Sequence, residues 1–219
     1  MRRVFVTGGT GYIGRRLIPV LLARGHRVVA LVRPGSGHKL PLGCTAVFGD
    51  ALDGTTYVEQ VRPGDTFVQL VGVAHPSPAK AEEFVAIDQK SGMEAIHAAK
   101  NAGIAHFIYI SVAHPAPGVM GRRMEAYIAA RSVCEDELQV SGLNATILRP
   151  WYVLGPGHRW PYVLIPCYWL AERIPSKRGS ALRLGLVTLE QMVTALANSV
   201  EHPAQGVQVL EVPAIRSSG

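Results

Sequence analysis

Short runs rich in β-branched and apolar residues alternate along the chain with longer segments whose apolar positions recur every three or four residues. The short runs predict strands over Arg3–Thr7, Arg27–Val32, Thr45–Phe48, Thr66–Val71, His106–Ser111 and Asn144–Leu148. The longer segments predict helices near Tyr12–Ala23, Thr55–Val61, Ala79–Ala102 and Val119–Ser141, and Gly25, Gly103 and Gly142 follow three of them as stop signals. Strand followed by helix, repeated, is the pattern of βαβ units, whose parallel strands need helices on both faces. The predicted fold class is therefore α/β, a Rossmann-type doubly wound parallel sheet with a small C-terminal substrate lobe.

The alternation weakens after Pro150, where residues 151–181 are rich in Pro, Gly and aromatics and are expected to form an irregular lobe above the sheet. It resumes with a strand around Arg183–Val187. Thr188-Leu189-Glu190-Gln191 then has the form of a capping box opening a helix that ends before Pro203, and a last strand spans Gly206–Val212. No repeat of solenoid period and no low-complexity tract interrupts the pattern.

At 219 residues, with 48% hydrophobic and 17% charged residues, the chain has material for one packed domain over 1–219. A formal charge of +6 and a pI near 9.5 would suit a polyanion, but the basic residues are scattered, so nucleic acid is not expected as a partner. Cys44, Cys134 and Cys167 are odd in number and far apart, which suggests neither a disulfide framework nor a zinc site and fits a reducing cytoplasm. The basic start Met1-Arg2-Arg3 leads into an apolar run that breaks at Thr7, too early for an export signal. The most membrane-like stretch, Trp160–Leu170, contains Pro161 and Pro166 and falls short of the roughly 20 residues of a spanning helix.

The chemistry begins where the first predicted strand runs into Thr7-Gly8-Gly9-Thr10-Gly11-Tyr12-Ile13-Gly14 and then into a helix. Strand, glycine turn and helix in this order make a dinucleotide site. Gly8 permits the tight turn, Gly11 lets backbone amides reach a pyrophosphate, and Gly14 lets helix and strand pack closely. The amides around Tyr12 and Ile13, at the helix start, supply donors and a partial positive charge. At the end of the second strand, where an NAD enzyme places an acid on the ribose 2′-hydroxyl, this chain has Arg33, which suits a 2′-phosphate. NADP(H) is accordingly favoured over NAD(H), with Arg15, Arg16 and Lys39 as further nearby charges. Asp50, closing the third strand, reads either as an acceptor for the adenine amino group or as a plain turn residue. Leu70, Val71 and Gly72 end the fourth strand at the topological switch point, where small residues leave room for the cofactor.

These residues, with Phe107 to Ser111 and Ser141-Gly142-Leu143-Asn144-Ala145-Thr146-Ile147-Leu148-Arg149-Pro150, resemble the extended and atypical short-chain dehydrogenase/reductases. The closest look is to small NAD(P)H-binding, NmrA-like or epimerase/dehydratase-like members, whose activities range from reductase and epimerase to cofactor sensing without turnover. The resemblance implies a catalytic Ser111, a Tyr127 that moves the proton, and Arg131 where the family has a lysine four residues after the tyrosine. One helical turn brings Tyr127 and Arg131 to one face, but a planar guanidinium would meet the nicotinamide ribose differently from an ammonium. Asp88 resembles a position where the family often carries asparagine, with a structural role expected. Gln191 stands where relatives commonly have aspartate and is assigned capping alone.

His75 and His114, each followed by proline, should lie near the carboxyl edge of the sheet, where they could orient a substrate or sit as polar loop residues. No third ligand accompanies them, so no metal is expected. Trp151, Tyr152, His158, Trp160, Tyr162 and Trp169 are the candidate lining of an apolar or aromatic substrate pocket. Three functions follow. The leading one is an NADP(H)-dependent oxidoreductase on a small hydrophobic carbonyl or alcohol. The others are a cofactor-sensing regulatory or assembly protein without turnover, and an epimerase or isomerase. A monomer or homodimer is expected in each case.

Overall fold

The computed structural model describes residues 1–115, 119–156 and 184–218, with residues 119–123 described by their backbone alone. Its strands are β1 (Arg3–Thr7), β2 (Arg27–Val32), β3 (Thr45–Phe48), β4 (Thr66–Gln69), β5 (His106–Ile110), β6 (Ala145–Arg149), β7 (Tyr152–Leu154), β8 (Leu186–Thr188) and β9 (Val207–Glu211). Its helices are α1 (Gly14–Ala23), α2 (Ala81–Glu83), α3 (Lys90–Ala102), α4 (Val119–Val140), α5 (Leu189–Glu201) and α6 (Val212–Arg216). Seven strands form one sheet in the order β3-β2-β1-β4-β5-β6-β9, and every pairing is parallel. The chain crosses from β3 back to β4 beside β1, so the switch point lies between β1 and β4, next to the glycine turn.

Alternation along the strands divides the core in two. On one face, Val4, Val6, Ile108 and Leu148 meet Leu17, Ile18 and Leu21 of α1 and Met192, Leu196 and Val200 of α5. On the other, Phe5, Phe67 and Phe107 occupy matched register positions on β1, β4 and β5, with successive ring centroids 5.2 Å apart. Ala95, Ile96 and Ala99 of α3 and Leu138 of α4 cover this aromatic row. Fully burying side chains of this size stabilises by about 1.5–3 kcal/mol each, which fixes the register of the strands whose ends carry the site.

The capping box appears as expected, with Thr188 and Gln191 each accepting the other's backbone N–H at the start of α5. Several expectations are corrected. The helix expected over Thr55–Val61 is a pair of 3-10 turns, Gly54–Thr56 and Val58–Gln60, because the Asp53 carboxylate takes the Thr55 N–H and the Thr56 hydroxyl bonds backbone carbonyls, diverting both from a helical ladder. The single helix expected over Ala79–Ala102 is divided into a 3-10 turn, α2, a π-helical stretch Phe84–Gln89, and α3. The fourth strand ends at Gln69, two residues before Val71, and the fifth at Ile110. The strand expected over Arg183–Val187 is β8, which pairs in parallel with β7, a strand inside the segment expected to be irregular. The short helix α6, opened by Pro213, was not expected. Residues 157–183 of the expected lobe, including Trp160–Leu170, lie outside the described residues. No described helix is long and apolar enough to cross a membrane.

Candidate functional site

The glycine turn at the end of β1 is built by close approach. Gly8 has φ of +71°, and a Cβ on it would lie 2.8 Å from the Leu70 carbonyl carbon. A Cβ on Gly14 would lie 2.6 Å from the Gly8 oxygen and the Gly9 Cα. Between them the Gly11 N–H closes the turn onto the Gly8 carbonyl at 2.9 Å, and Gly11 itself faces solvent. Helix α1 follows with Ile13 in its N-cap position, so no side chain caps it, and no acid lies in its first turn. Among the described residues the Ile13 N–H has no hydrogen-bond partner. A helix start that offers free donors and has Arg15 and Arg16 rather than acids beside it is short of an anion. A cavity of about 440 Å³ opens here, lined in part by Thr10, Gly11, Tyr12, Arg15 and Arg16. Side-chain-free backbone, open donors and positive charge fit a pyrophosphate.

At the adjacent strand ends, Arg33 follows β2, is exposed, and makes no ion pair among the described residues. Lys39 is exposed in the 3-10 turn Gly37–Lys39. Asp50 is a turn residue in that its Oδ1 accepts the Leu52 N–H at 2.9 Å and its own N–H donates to the Thr56 hydroxyl at 2.9 Å.

Below the switch point lies a chain of buried polar groups. Thr7, expected at the cofactor, turns its hydroxyl inward to donate to the Gln69 side-chain oxygen. The Gln69 amide donates to Ser91 Oγ at 3.0 Å, and Ser91 donates to the Asp88 carbonyl at 3.3 Å. The Asp88 carboxylate holds Arg131 Nη2 at 2.5 Å through Oδ1 and the Val73 N–H at 2.9 Å through Oδ2. Arg131 Nη1 donates to the Ile110 carbonyl at the end of β5. The guanidinium carbon lies 4.9 Å from the centre of the Tyr127 ring, and Phe84 packs on that ring with centroids 5.0 Å apart. Tyr127 and Arg131 thus share a face of α4, as their spacing predicts. The part of Arg131 expected to reach a nicotinamide ribose is bonded within the protein. Ser111, the residue after Ile110, is buried, and its Oγ has no hydrogen-bond partner among the described residues.

Burial raises the Tyr127 phenol above the ordinary tyrosine value, with Arg131 opposing the rise and Asp88 adding to it. Burial works against the Arg131 charge, but Tyr127, Tyr109 and Asp88 outweigh it and hold its pKa above the usual arginine value. The phenol is therefore a protonated group near neutrality, and the guanidinium is charged.

Leu70 and Val71 are partly buried beside Gly8, and Gly72 is exposed at the loop that follows. His75 is exposed in that loop with φ of +52°, while His114 lies partly buried after β5, 3.5 Å from the Ser132 hydroxyl. Trp151 and Tyr152 are partly buried; His158, Trp160, Tyr162 and Trp169 lie outside the described residues. No group of three potential metal ligands exists among the described residues. Sequence reasoning missed Gln69 and Ser91. Gln69 could have been found as the one polar residue between Phe67 and Val71, a place where a buried amide needs partners.

A family profile described as NAD(P)H-binding matches residues 8–161, from the glycine turn past β7. The chain belongs to this NAD(P)H-binding family. It is 26% identical over 220 residues to a ceramide reductase of Caulobacter vibrioides, a match covering 99% of the chain and 66% of that protein. It is 31% identical over 118 residues to a chloroplastic divinyl chlorophyllide a 8-vinyl-reductase of Oryza sativa subsp. indica, covering 49% of the chain and 29% of that protein. The chain thus spans less than two thirds of the length of these relatives. In fold it is similar to the UDP-glucose 4-epimerase of Thermus thermophilus in complex with NAD, with a TM-score of 0.67, 20% identity, and coverage of 99% of this chain and 82% of that one. Its fold is that of nucleotide-sugar epimerases of this kind.

Proposed function

We propose that the chain is an NADP(H)-dependent reductase of a small hydrophobic or aromatic carbonyl compound. One observation carries this reading: at the end of β5 a buried Ser111 hydroxyl without a protein partner among the described residues stands beside the element that carries Tyr127, whose ring lies against the Arg131 guanidinium. Ser111 would hold the carbonyl oxygen. Tyr127 would deliver the proton to that oxygen, and the Arg131 guanidinium on its ring would stabilise the phenolate left behind. A bound nicotinamide supplies hydride. Gly8, Gly11, Ile13 and Gly14 would hold the pyrophosphate, Arg33 the 2′-phosphate and Asp50 the adenine. Trp151 and Tyr152 support an apolar substrate side, in line with reductases among the relatives.

The test is consumption of NADPH, followed by absorbance, across aromatic aldehydes, ketones and quinones. Turnover that Tyr127→Phe abolishes is expected. A second reading, a cofactor sensor without turnover, is favoured by the Arg131 Nη atoms being bonded to Asp88 and Ile110. Tight NADPH binding with no turnover on any compound would select it.

A further inference from the structure

The two residues that end one helical turn of α4, Tyr127 and Arg131, are gripped by two residues of the neighbouring π-helical stretch. Phe84 and Asp88, both buried, belong to Phe84–Gln89. Phe84 lies on the Tyr127 ring and Asp88 on the Arg131 guanidinium, so the two elements meet residue to residue. Such π-helical turns are rare and recur at functional sites. The Asp88 carboxylate is fully buried and doubly bonded, to Arg131 and to the Val73 N–H, which ties α4 to the loop after β4. Gly72 supplies the room: a Cβ there would lie 2.4 Å from Arg131 Nη2 and 2.9 Å from Asp88 Oδ1. The guanidinium is left between Gly72, the Ile110 carbonyl and the face of the phenol.

We propose that Asp88 is a positioning residue for Tyr127, acting by fixing the Arg131 guanidinium against the phenol ring as an internal counter-charge, so that Asp88 and Arg131 work only as a pair. Two properties of the side chains require the pairing. A single ammonium cannot span a carboxylate, a carbonyl and a ring face as a planar fork does, so lysine does not replace Arg131 while Asp88 is present. Removing either partner leaves the other charge buried and uncompensated. Gly72 belongs to the same arrangement, its missing side chain making space for an ion pair. The catalytic consequence rests on the reading of Tyr127 as proton donor given above; the geometry does not.

The experiment has an arm independent of activity. In protein labelled with [15N]arginine, Arg131 should give slowly exchanging, separately resolved Nη signals, assigned by their loss in Arg131→Lys. Those signals should collapse in Asp88→Asn, and their persistence there overturns the proposal. Should Asp88→Asn fail to fold, Gly72→Ala presses the pair apart without removing charge, and unaltered Arg131 signals in that variant overturn it equally. Asp88→Asn and Arg131→Met alone should each lower Tm by roughly 10 °C, and the double variant should lose less than the sum; additive losses overturn the pairing. In turnover, Asp88→Asn should lower kcat by about tenfold or more with the NADPH dissociation constant unchanged, as expected of a group acting through another. If the unmodified protein reduces no carbonyl, the reductase reading fails while the labelled-arginine measurement still decides the positioning.

Discussion

Gly8 stands so close to Leu70 that a Cβ on it would fall 2.8 Å from the Leu70 carbonyl carbon and 2.9 Å from the Val71 nitrogen, whereas a Cβ on Gly11 would meet only the Gly8 oxygen, at 3.1 Å. The two glycines therefore fail differently. Gly8→Ala collides with backbone and forces a left-handed φ on an L-residue, which alone costs about 1–2 kcal/mol, so it should lower Tm by at least a few degrees. Gly11→Val projects its branches outward, where the pyrophosphate is proposed to lie. It should leave circular dichroism and Tm close to those of the unmodified protein and abolish NADPH binding by calorimetry. Undiminished binding in Gly11→Val would move the dinucleotide elsewhere.

Arg33 is an exposed cation at the end of β2 with no ion pair among the described residues. A charge-assisted bond to a 2′-phosphate is worth about 1.5–3 kcal/mol, or roughly a ten- to hundredfold preference for NADPH over NADH. Arg33→Asp should erase or reverse that preference. Equal affinities for the two nucleotides in the unmodified protein would release Arg33 from the phosphate.

Away from the site, His106 at the start of β5 accepts the Ala204 N–H at 3.3 Å through Nε2, which also lies 3.0 Å from the Thr146 hydroxyl. Burial, aided by the charge of Arg2, lowers its pKa from 6.5 to about 4. The folded value lies below the unfolded one, so the neutral ring stabilises fully above the unfolded value, and that stability is lost as pH falls from 6.5 toward about 4. The gap corresponds to about 3 kcal/mol. In His106→Gln the loss of Tm between neutral and mildly acid pH should be smaller than in the unmodified protein. Burial raises the Asp65 carboxyl and works in the opposite sense, so the difference between the two proteins is the quantity to read. Parallel Tm curves would show that His106 does not set the acid limit.

The strands were legible because apolar runs such as Val28-Val29-Ala30-Leu31-Val32 are buried on both faces of a parallel sheet, and their ends follow from flanking glycines and polar residues. The glycine turn was legible because its geometry is local: Gly8, Gly11 and Gly14 act on residues within a few positions, save for the contact of Gly8 with Leu70. The π-helical stretch was not, since Phe84-Val85-Ala86-Ile87-Asp88-Gln89 has ordinary helical composition and its partners on α4 are distant in sequence. The bond between Asp88 and Arg131 joins residues 43 positions apart, and no periodicity records such a distance. The sequence could mark each as a departure from the family's residue and could not show that the two departures touch. The strand β7 was hidden by length, because three residues between Trp151 and Gly155 leave no pattern to read.

Tyr127 is raised above its ordinary 10.0, chiefly by burial, with the guanidinium of Arg131 opposing that rise. A donor with such a pKa is fully protonated through the neutral range. Reduction of a carbonyl should therefore be independent of pH around neutrality and decline only above the usual tyrosine value, while the reverse oxidation, which needs the phenolate, should be slow at neutral pH and rise with pH. Tyr127→Phe should lower the rate of reduction by about 10²–10⁴-fold, with NADPH affinity unchanged because the phenol is proposed to touch substrate rather than nucleotide. Ser111→Ala should cost about ten- to a hundredfold, the worth of one hydrogen bond to a developing charge. The profile separates the candidates. A rate of reduction that falls through neutral pH would require a donor titrating there, and His114, partly buried after the same strand as Ser111, would be the next residue to replace.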